Sequence, residues 1–190
     1  MLALILTIQD ENDRDFVEKL YYQYGKKIYL TAMKILKNPE DAEDCLQDVF
    51  RSILEHLELF QSAEKEHLIK LLVVCTRNHA INTYRKNKNI QENIDSEEED
   101  IEKFADANML SADKILMNRE NQKRISEMIE ELKPIYQDII FLRYHYGMKH
   151  ADIANFLNIS ENLVKIRYYR AKKILLQKWR GELNEIRENG

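Results

Sequence analysis

The chain has 190 residues, of which 44% are hydrophobic, so it is long enough for one domain or two small ones with a packed core. Only four Gly and two Pro are present, which disfavours an all-β fold with its many turns and favours long helices. The net charge of -4 over the whole chain disfavours nucleic-acid binding. It does not exclude a basic surface, however, because acidic and basic residues are segregated along the chain.

The first two helices are predicted from apolar residues spaced three and four apart. Between them, Asn38 is a predicted N-cap and Pro39 suits the first helical position of the second helix. The residues predicted to face the core are Val17, Leu20, Tyr21, Tyr24, Ile28, Ala32 and Ile35 in the first helix, and Ala42, Cys45, Leu46, Val49, Phe50, Ile53 and Leu57 in the second.

A third helix is predicted from about Glu64 to Lys86, with a basic and polar end. After this helix, apolar residues no longer recur at helical spacing. Residues 91–121 contain ten acidic side chains and three basic ones. This segment is interpreted as a linker, with a solvated tether as its simplest role. The predicted boundaries are residues 1–89 for the first domain, 90–111 for the acidic linker and 112–190 for the second domain.

Helical spacing returns from about 112 to 132, and again from Ile135 to Tyr146, where Gly147 is a natural stop. The next segment, residues 149–173, matches the spacing of a helix-turn-helix. In it, Asn158 occupies a turn position that requires a left-handed backbone. The remaining signals are Ile153, Ala154 and Leu157 on the inner face of the short helix, Ser160 as the N-cap of the next helix, and Val164 facing back into the pair.

The second helix of such a pair enters the major groove of DNA, and here it is strongly basic. From Lys165 to Arg180 there are seven basic residues and no acidic one. Arg and Lys neutralise phosphates and read guanine, and Asn reads adenine, so DNA binding is predicted, with a solvated basic helix as the alternative. The residues expected on its outward face are Asn162, Lys165, Arg167, Tyr169, Arg170, Lys172 and Lys173.

No catalytic residue, cofactor or metal site is predicted, and the chain is not expected to be an enzyme. It contains no Gly-rich phosphate loop, nucleophile elbow or HExxH motif, and the histidines show no ligand spacing with Cys45 or Cys75. Both cysteines fall on apolar stripes and are expected to be buried small hydrophobes. The apolar stretch at residues 1–8 is too short for a membrane span or signal peptide, so a cytoplasmic protein is expected.

Three stretches resemble sigma factors of the extracytoplasmic-function (ECF) type in the sigma-70 family. Residues 16–60, which contain NPEDAED and QDVF, resemble the first conserved region of that family. Residues 77–86, RNHAINTYRK, look like its promoter-melting segment, and residues 132–176 look like its C-terminal promoter-reading domain. The chain is therefore expected to be all-α, with two small helical domains joined by the acidic linker, the C-terminal one a helix-turn-helix.

The resemblance implies a transcription initiation subunit that directs core RNA polymerase to promoter DNA. The helix that begins at Pro39 would bind the clamp helices of the β′ subunit. The helices that precede the second helix of the helix-turn-helix, called the reading helix, would touch the β-flap. An anti-sigma factor is an expected partner. The implied contacts are Asp41, Asp44, Gln47, Asp48 and Arg51 for polymerase; Arg77, Asn78, Asn82, Tyr84, Arg85, Lys86 and Lys88 for the −10 element; and Ser160, Asn162, Lys165, Arg167, Tyr169, Arg170, Lys172 and Lys173 for the −35 element.

Some positions depart from the family pattern. Asn82 stands where an aspartate is usual, and Asn158 replaces a common turn glycine. Leu163 and Ile166 replace small hydroxyl residues that bond phosphates. Two alternatives therefore stay open: a stand-alone helix-turn-helix regulator, and a degenerate sigma-like protein that binds polymerase or an anti-sigma factor without reading promoters.

Overall fold

The computed structural model describes residues 5–88 and 122–188, and within these residues it contains helices and no strand. The all-α prediction is confirmed there, whereas the predicted linker at 90–111 and the start of the helix predicted at 112 lie outside the described residues. The helices are α1 Glu11–Leu36, α2 Pro39–Glu55, α3 Leu57–Gln61, α4 Lys65–Asn87, α5 Gln122–Glu130, α6 Pro134–Tyr144, α7 His150–Leu157 and α8 Glu161–Glu188.

The chain divides into two compact units. The first holds α1 to α4, and the second holds α5, α6, α8 and most of α7. The exact domain boundaries drawn from the sequence stay a prediction.

In the first unit, α1, α2 and α4 pack on one another. The turn between α1 and α2 is only two residues long. Lys37 adopts the left-handed conformation with φ 56°, and the Asn38 side chain accepts hydrogen bonds from the backbone N–H groups of Glu40 and Asp41 at 2.8 and 3.2 Å. Pro39 opens α2, so the predicted cap and helix start are confirmed.

The core of this unit is apolar and follows the predicted stripes. Val17, Leu20 and Ile28 of α1 pack with the buried residues of α2, such as Val49 and Phe50. The predicted core residues that the structure leaves only half-buried are Tyr21, Ile35, Leu46 and Leu57. They were counted as core because they sit next to the apolar stripe, but Tyr21 and Leu46 line a surface groove instead.

In the second unit, α5, α6 and α8 share one apolar cluster. Gly147 has φ +65°, but α6 ends at Tyr144, two residues before the predicted end at Tyr146. The Lys178 ammonium pairs with the Glu131 carboxylate across the surface of this unit. The buried members of the cluster are Met128, Leu132, Tyr136, Ile140, Ala171 and Leu175.

The helix-turn-helix forms as predicted. Asn158 has φ 49°, the left-handed conformation that its position requires. The Leu163 backbone N–H donates to the Ser160 hydroxyl at 3.2 Å, which confirms Ser160 as the cap of α8. The predicted inner-face residues Ile153, Ala154, Leu157 and Val164 are all buried.

Candidate functional site

Helix α2 is acidic, with six carboxylates and one cation between Pro39 and Glu55. We call the set Asp41, Asp44, Gln47, Asp48 and Arg51 the acidic face. Asp44 and Arg51 are exposed, and the other three members are half-buried. The Arg51 guanidinium pairs with Asp48, while the Asn87 side-chain amide donates to Asp41 at 3.0 Å. The acidic face is thus a solvent-accessible surface on a rigid helix.

A groove of about 520 Å³ runs beside the acidic face, between α1 and α2. Its floor is shaped by Gly25, because a Cβ at this position would lie 3.1 Å from the Tyr21 ring. The shape of the groove at Gly25 therefore depends on the absence of a side chain at this position. The lining residues are Tyr21, Gly25, Lys26 and Tyr29 of α1 and Glu43, Leu46 and Gln47 of α2.

The last turns of α4 carry the residues assigned to the −10 element. Tyr84 is 41% exposed, and Lys86 and Lys88 are also exposed. Asn78 is 6% exposed, and its side-chain amide donates to the Val74 carbonyl at 2.9 Å, so it contributes to the packing of α4. The remaining members, Arg77, Asn82 and Arg85, are half-buried.

A polar contact between α2 and α4 was missed by the sequence analysis. The Ser52 hydroxyl lies 2.8 Å from His79 Nε2, in a hydrogen bond that either atom is able to donate. Burial lowers the pKa of His79, and the carboxylates of Asp48 and Glu55 partly oppose this effect. The available signal was a serine between the core residues Val49 and Ile53 of α2.

The two cysteines also lie at the α2–α4 interface, Cys45 on α2 and Cys75 on α4. Both are fully buried, as predicted, and the Cys45 thiol lies 3.8 Å from the Thr76 carbonyl. Burial raises the pKa of each thiol to about 12. These thiols therefore behave as small apolar side chains. Among residues 5–88 and 122–188, no group of three metal-ligating side chains is positioned to hold an ion.

The reading helix α8 presents fewer cations than its sequence suggests. Ser160, Lys165 and Lys173 are exposed. Arg167 and Lys172 are each only 5% exposed, so the expectation that they lie on the outward face is wrong. Positions 164, 167, 171 and 175 share one side of a helix, which places residue 167 on the buried stripe. The other assigned residues, Asn162, Tyr169 and Arg170, are half-buried.

Tyr168 connects three helices of the second unit. Its hydroxyl lies 2.9 Å from that of Tyr144, its ring centroid lies 5.1 Å from that of His150, and the Lys172 ammonium lies 5.1 Å from its ring centroid. Burial lowers the pKa of His150, and the cations of Arg143, Lys165 and Lys172 lower it further. Lys172 thus packs on an aromatic ring within the domain.

Leu163 and Ile166 are 4% and 1% exposed. They stand where the family resemblance implies hydroxyl residues that bond phosphates. Since both are buried and apolar, neither offers a hydrogen-bond donor to DNA in this structure.

Two family models match the chain, in the same order as the two units. The model described as Sigma-70 region 2 matches residues 20–90, and that described as Sigma-70, region 4 matches residues 122–175.

The chain belongs to the sigma-70 family.

Similar proteins are sigma factors of Bacillus subtilis (strain 168). The RNA polymerase sigma factor SigV is 28% identical over 175 residues, covering 91% of this chain and 89% of SigV. The ECF RNA polymerase sigma factor SigX is 27% identical over 159 residues, covering 82% and 79% respectively. The ECF RNA polymerase sigma factor SigW is 26% identical over 175 residues, covering 90% and 92%. The chain is a sigma factor of the ECF type.

As a sigma factor, the chain functions in transcription initiation, as its resemblance to the family implied. Family members are initiation factors without enzymatic activity. In the part of the chain that the structure describes, no helix is both long and apolar enough to cross a membrane. The contacts assigned to individual residues of this sigma factor remain predictions.

Proposed function

We propose that this sigma factor binds core RNA polymerase and directs it to promoters by reading the −35 and −10 elements. It acts in the cytoplasm as a non-enzymatic subunit, and the polymerase performs the chemistry. One observation carries the proposal. The same chain joins an acidic helix matched by the region 2 model to a capped helix-turn-helix matched by the region 4 model.

The acidic face of α2 is the proposed contact for the β′ clamp helices. Its carboxylates give α2 a single dominant sign of charge, which steers a basic partner and fixes its register. The adjoining groove, lined by Leu46 and Gln47, offers a recess for a partner side chain. In the second unit, α5 and α6 precede the reading helix, and they are the proposed contact for the β-flap.

The end of α4 is the proposed −10 surface. Arg77, Arg85, Lys86 and Lys88 supply cations for the strand backbone. Tyr84 exposes its ring and suits stacking against an unpaired base. Opening DNA requires both functions, since a melted strand must be held and its displaced base must be accommodated.

The reading helix α8 is the proposed −35 contact. Its exposed lysines, Lys165 and Lys173, are suited to phosphates. Asn162 and Arg170 are half-buried and lie on the same helix, so they are the candidates for base edges. An anti-sigma factor is the proposed regulator, since covering either surface would block initiation.

The test is run-off transcription with core polymerase from the source organism, with and without this protein, over a fragmented genomic library. New protein-dependent start sites are expected, and their shared upstream sequence would give the promoter. Binding to core polymerase without new start sites would contradict promoter reading. Absence of any polymerase binding would favour a stand-alone regulator and overturn the proposal.

One observation favours a second candidate, a degenerate sigma-like protein that binds polymerase or an anti-sigma factor only. Leu163, Ile166 and Arg167 of the reading helix are all buried. A protein of this kind would bind core polymerase as tightly as the first candidate does, but it would bind every promoter fragment weakly. Quantitative binding of the complex with core polymerase to a library of genomic promoter fragments separates the two.

A further inference from the structure

Besides the weak contact of the Cys45 thiol with the Thr76 carbonyl at 3.8 Å, two hydrogen bonds join α2 to α4 at separate points. The Ser52 hydroxyl and His79 Nε2 are 2.8 Å apart, and the Asn87 amide donates to the Asp41 carboxylate at 3.0 Å. Because the pairing runs from 41 to 87 and from 52 to 79, the two helices are antiparallel. Eight residues separate the two points on α4, which is roughly 12 Å along a helix.

Two such points fix the axial position of α4 more sharply than the core does. The surrounding contacts are apolar, including Cys45, Phe50 and Leu71, and apolar burial is not directional. A hydrogen bond, in contrast, is confined to donor–acceptor distances of about 2.7–3.2 Å. A slip of α4 by one turn, roughly 5.4 Å, would break both bonds.

We propose that His79, held by Ser52, is a positioning residue for promoter opening. It sets the register of the −10 surface of α4 against the polymerase-docking helix α2. The Asp41–Asn87 bond holds the far end of α4 in the same register. This inference rests on the proposed function, in which α2 binds polymerase and α4 meets the −10 element.

The position of the two bonds supports this role. Ser52 follows Arg51 of the acidic face, and Asp41 is itself a member of that face. On α4, His79 lies between Asn78 and Asn82, and Asn87 lies between Lys86 and Lys88. The first bond thus lies next to Arg51 on α2 and two residues after Arg77 on α4, and the second joins Asp41 to a residue between two proposed DNA contacts.

Burial lowers the pKa of His79 from its ordinary value and so favours the neutral imidazole. The charges that act on it among the described residues are Asp48 and Glu55, both on α2 and both favouring the protonated ring. On its own helix, the neighbouring ionisable group is the buried thiol of Cys75. Acid therefore perturbs the contact, because it places a charge in a buried site.

The experiment compares three variants of the full chain, bound to core polymerase. His79→Leu removes the bond to Ser52, and His79→Gln keeps a hydrogen-bonding group without a titrating ring. Gln61→Ala is the matched control, because the Gln61 amide donates to Asp13 at 2.8 Å and joins α1 to α3 instead. The measurements are affinity for core polymerase, affinity for duplex promoter, and permanganate reactivity of −10 thymines.

His79→Leu is expected to keep its affinity for core polymerase and to lower thymine reactivity about fivefold, the effect of one lost hydrogen bond. His79→Gln and Gln61→Ala should stay within about twofold of the parent. Asn87→Ala, at an exposed position, should lower reactivity in the same direction without a folding defect. As the pH falls through the lowered pKa of His79, opening by the parent should decline relative to His79→Gln.

The proposal is overturned if His79→Leu opens promoters normally, or if His79→Gln fails as badly as His79→Leu. A loss that merely follows the unfolded fraction, measured by circular dichroism, would also overturn it. Failure of the proposed function looks different. In that case the parent protein itself would show no polymerase-dependent thymine reactivity, and there would be no opening for His79 to position.

Discussion

The Arg51 guanidinium donates a hydrogen bond to the Asp48 carboxylate at 2.5 Å, one turn apart on the outer side of α2. Exposed pairs of this kind contribute about 0–1 kcal/mol to stability, since water screens them and both side chains lose freedom. The pair is therefore inexpensive to rearrange. Both side chains are accessible to a partner that offers a better-matched charge.

Removing the exposed carboxylates of the acidic face should weaken polymerase binding without unfolding the protein. For Asp44→Ala with Asp48→Ala we expect about a tenfold loss of affinity for core polymerase, or ~1.4 kcal/mol. The free energy of unfolding should change by less than about 1 kcal/mol. Titration with labelled core polymerase measures the first quantity and urea denaturation the second. Glu58→Ala on α3 is the control, and normal affinity in the double variant would refute the docking surface.

Replacing exposed cations of α8 should have a different effect from replacing a buried one. Replacing the exposed Lys165 and Lys173 with Ala should weaken binding to −35 duplexes of any sequence and reduce the salt slope by about two. Replacing the buried Lys172 should instead lower the melting temperature, because its ammonium packs over the Tyr168 ring. Fluorescence anisotropy at several salt concentrations and thermal denaturation distinguish these effects. An unchanged salt slope in the double variant would remove α8 from the DNA interface.

The N-cap of α2 should be measurable by itself. Asn38→Ala removes the acceptor for two backbone N–H groups and should cost about 1 kcal/mol of unfolding free energy. Asn38→Asp keeps the acceptor and adds a charge that the helix N-terminus favours, so its stability should match the parent. Urea denaturation of both variants provides the test. An unchanged free energy of unfolding in Asn38→Ala would show that this cap contributes nothing.

Neither cysteine should react in the folded protein. With both pKa values near 12, about 1 in 10,000 thiols is ionised at pH 8, and both are also shielded from reagent. Ellman's reagent should therefore detect no thiol in the native protein and two in the protein unfolded by guanidinium. A rapid native reaction at either site would contradict the burial of Cys45 and Cys75.

Features that depend on neighbouring residues were predictable from the sequence. Asn38 and Pro39 define the start of α2 through local hydrogen bonding and a fixed φ, and Asn158 tolerates the left-handed turn. The helix-turn-helix follows from the same kind of short-range signal. The assignment to the sigma-70 family was likewise carried by short motifs, and the two family models confirm it.

Features that depend on three-dimensional packing were not predictable. Arg167, Lys172 and Asn78 were assigned to DNA by chemical type, yet all three are buried. Chemical type indicates what a side chain is able to bind, whereas helix phase decides whether it reaches solvent. The Ser52–His79 bond joins residues 27 positions apart, and no local pattern in the sequence specifies such a pairing.

The two-residue turn at Lys37 and Asn38 also has a consequence for biosynthesis. It allows α1 and α2 to pair using contacts that are close in sequence, and such contacts form early and quickly. Helices α1 and α2 are synthesised before α4, so their hairpin is able to form while translation of the chain continues. Helix α4 then docks onto a surface that already exists, which shortens the time that its apolar stripe is exposed to chaperones and proteases.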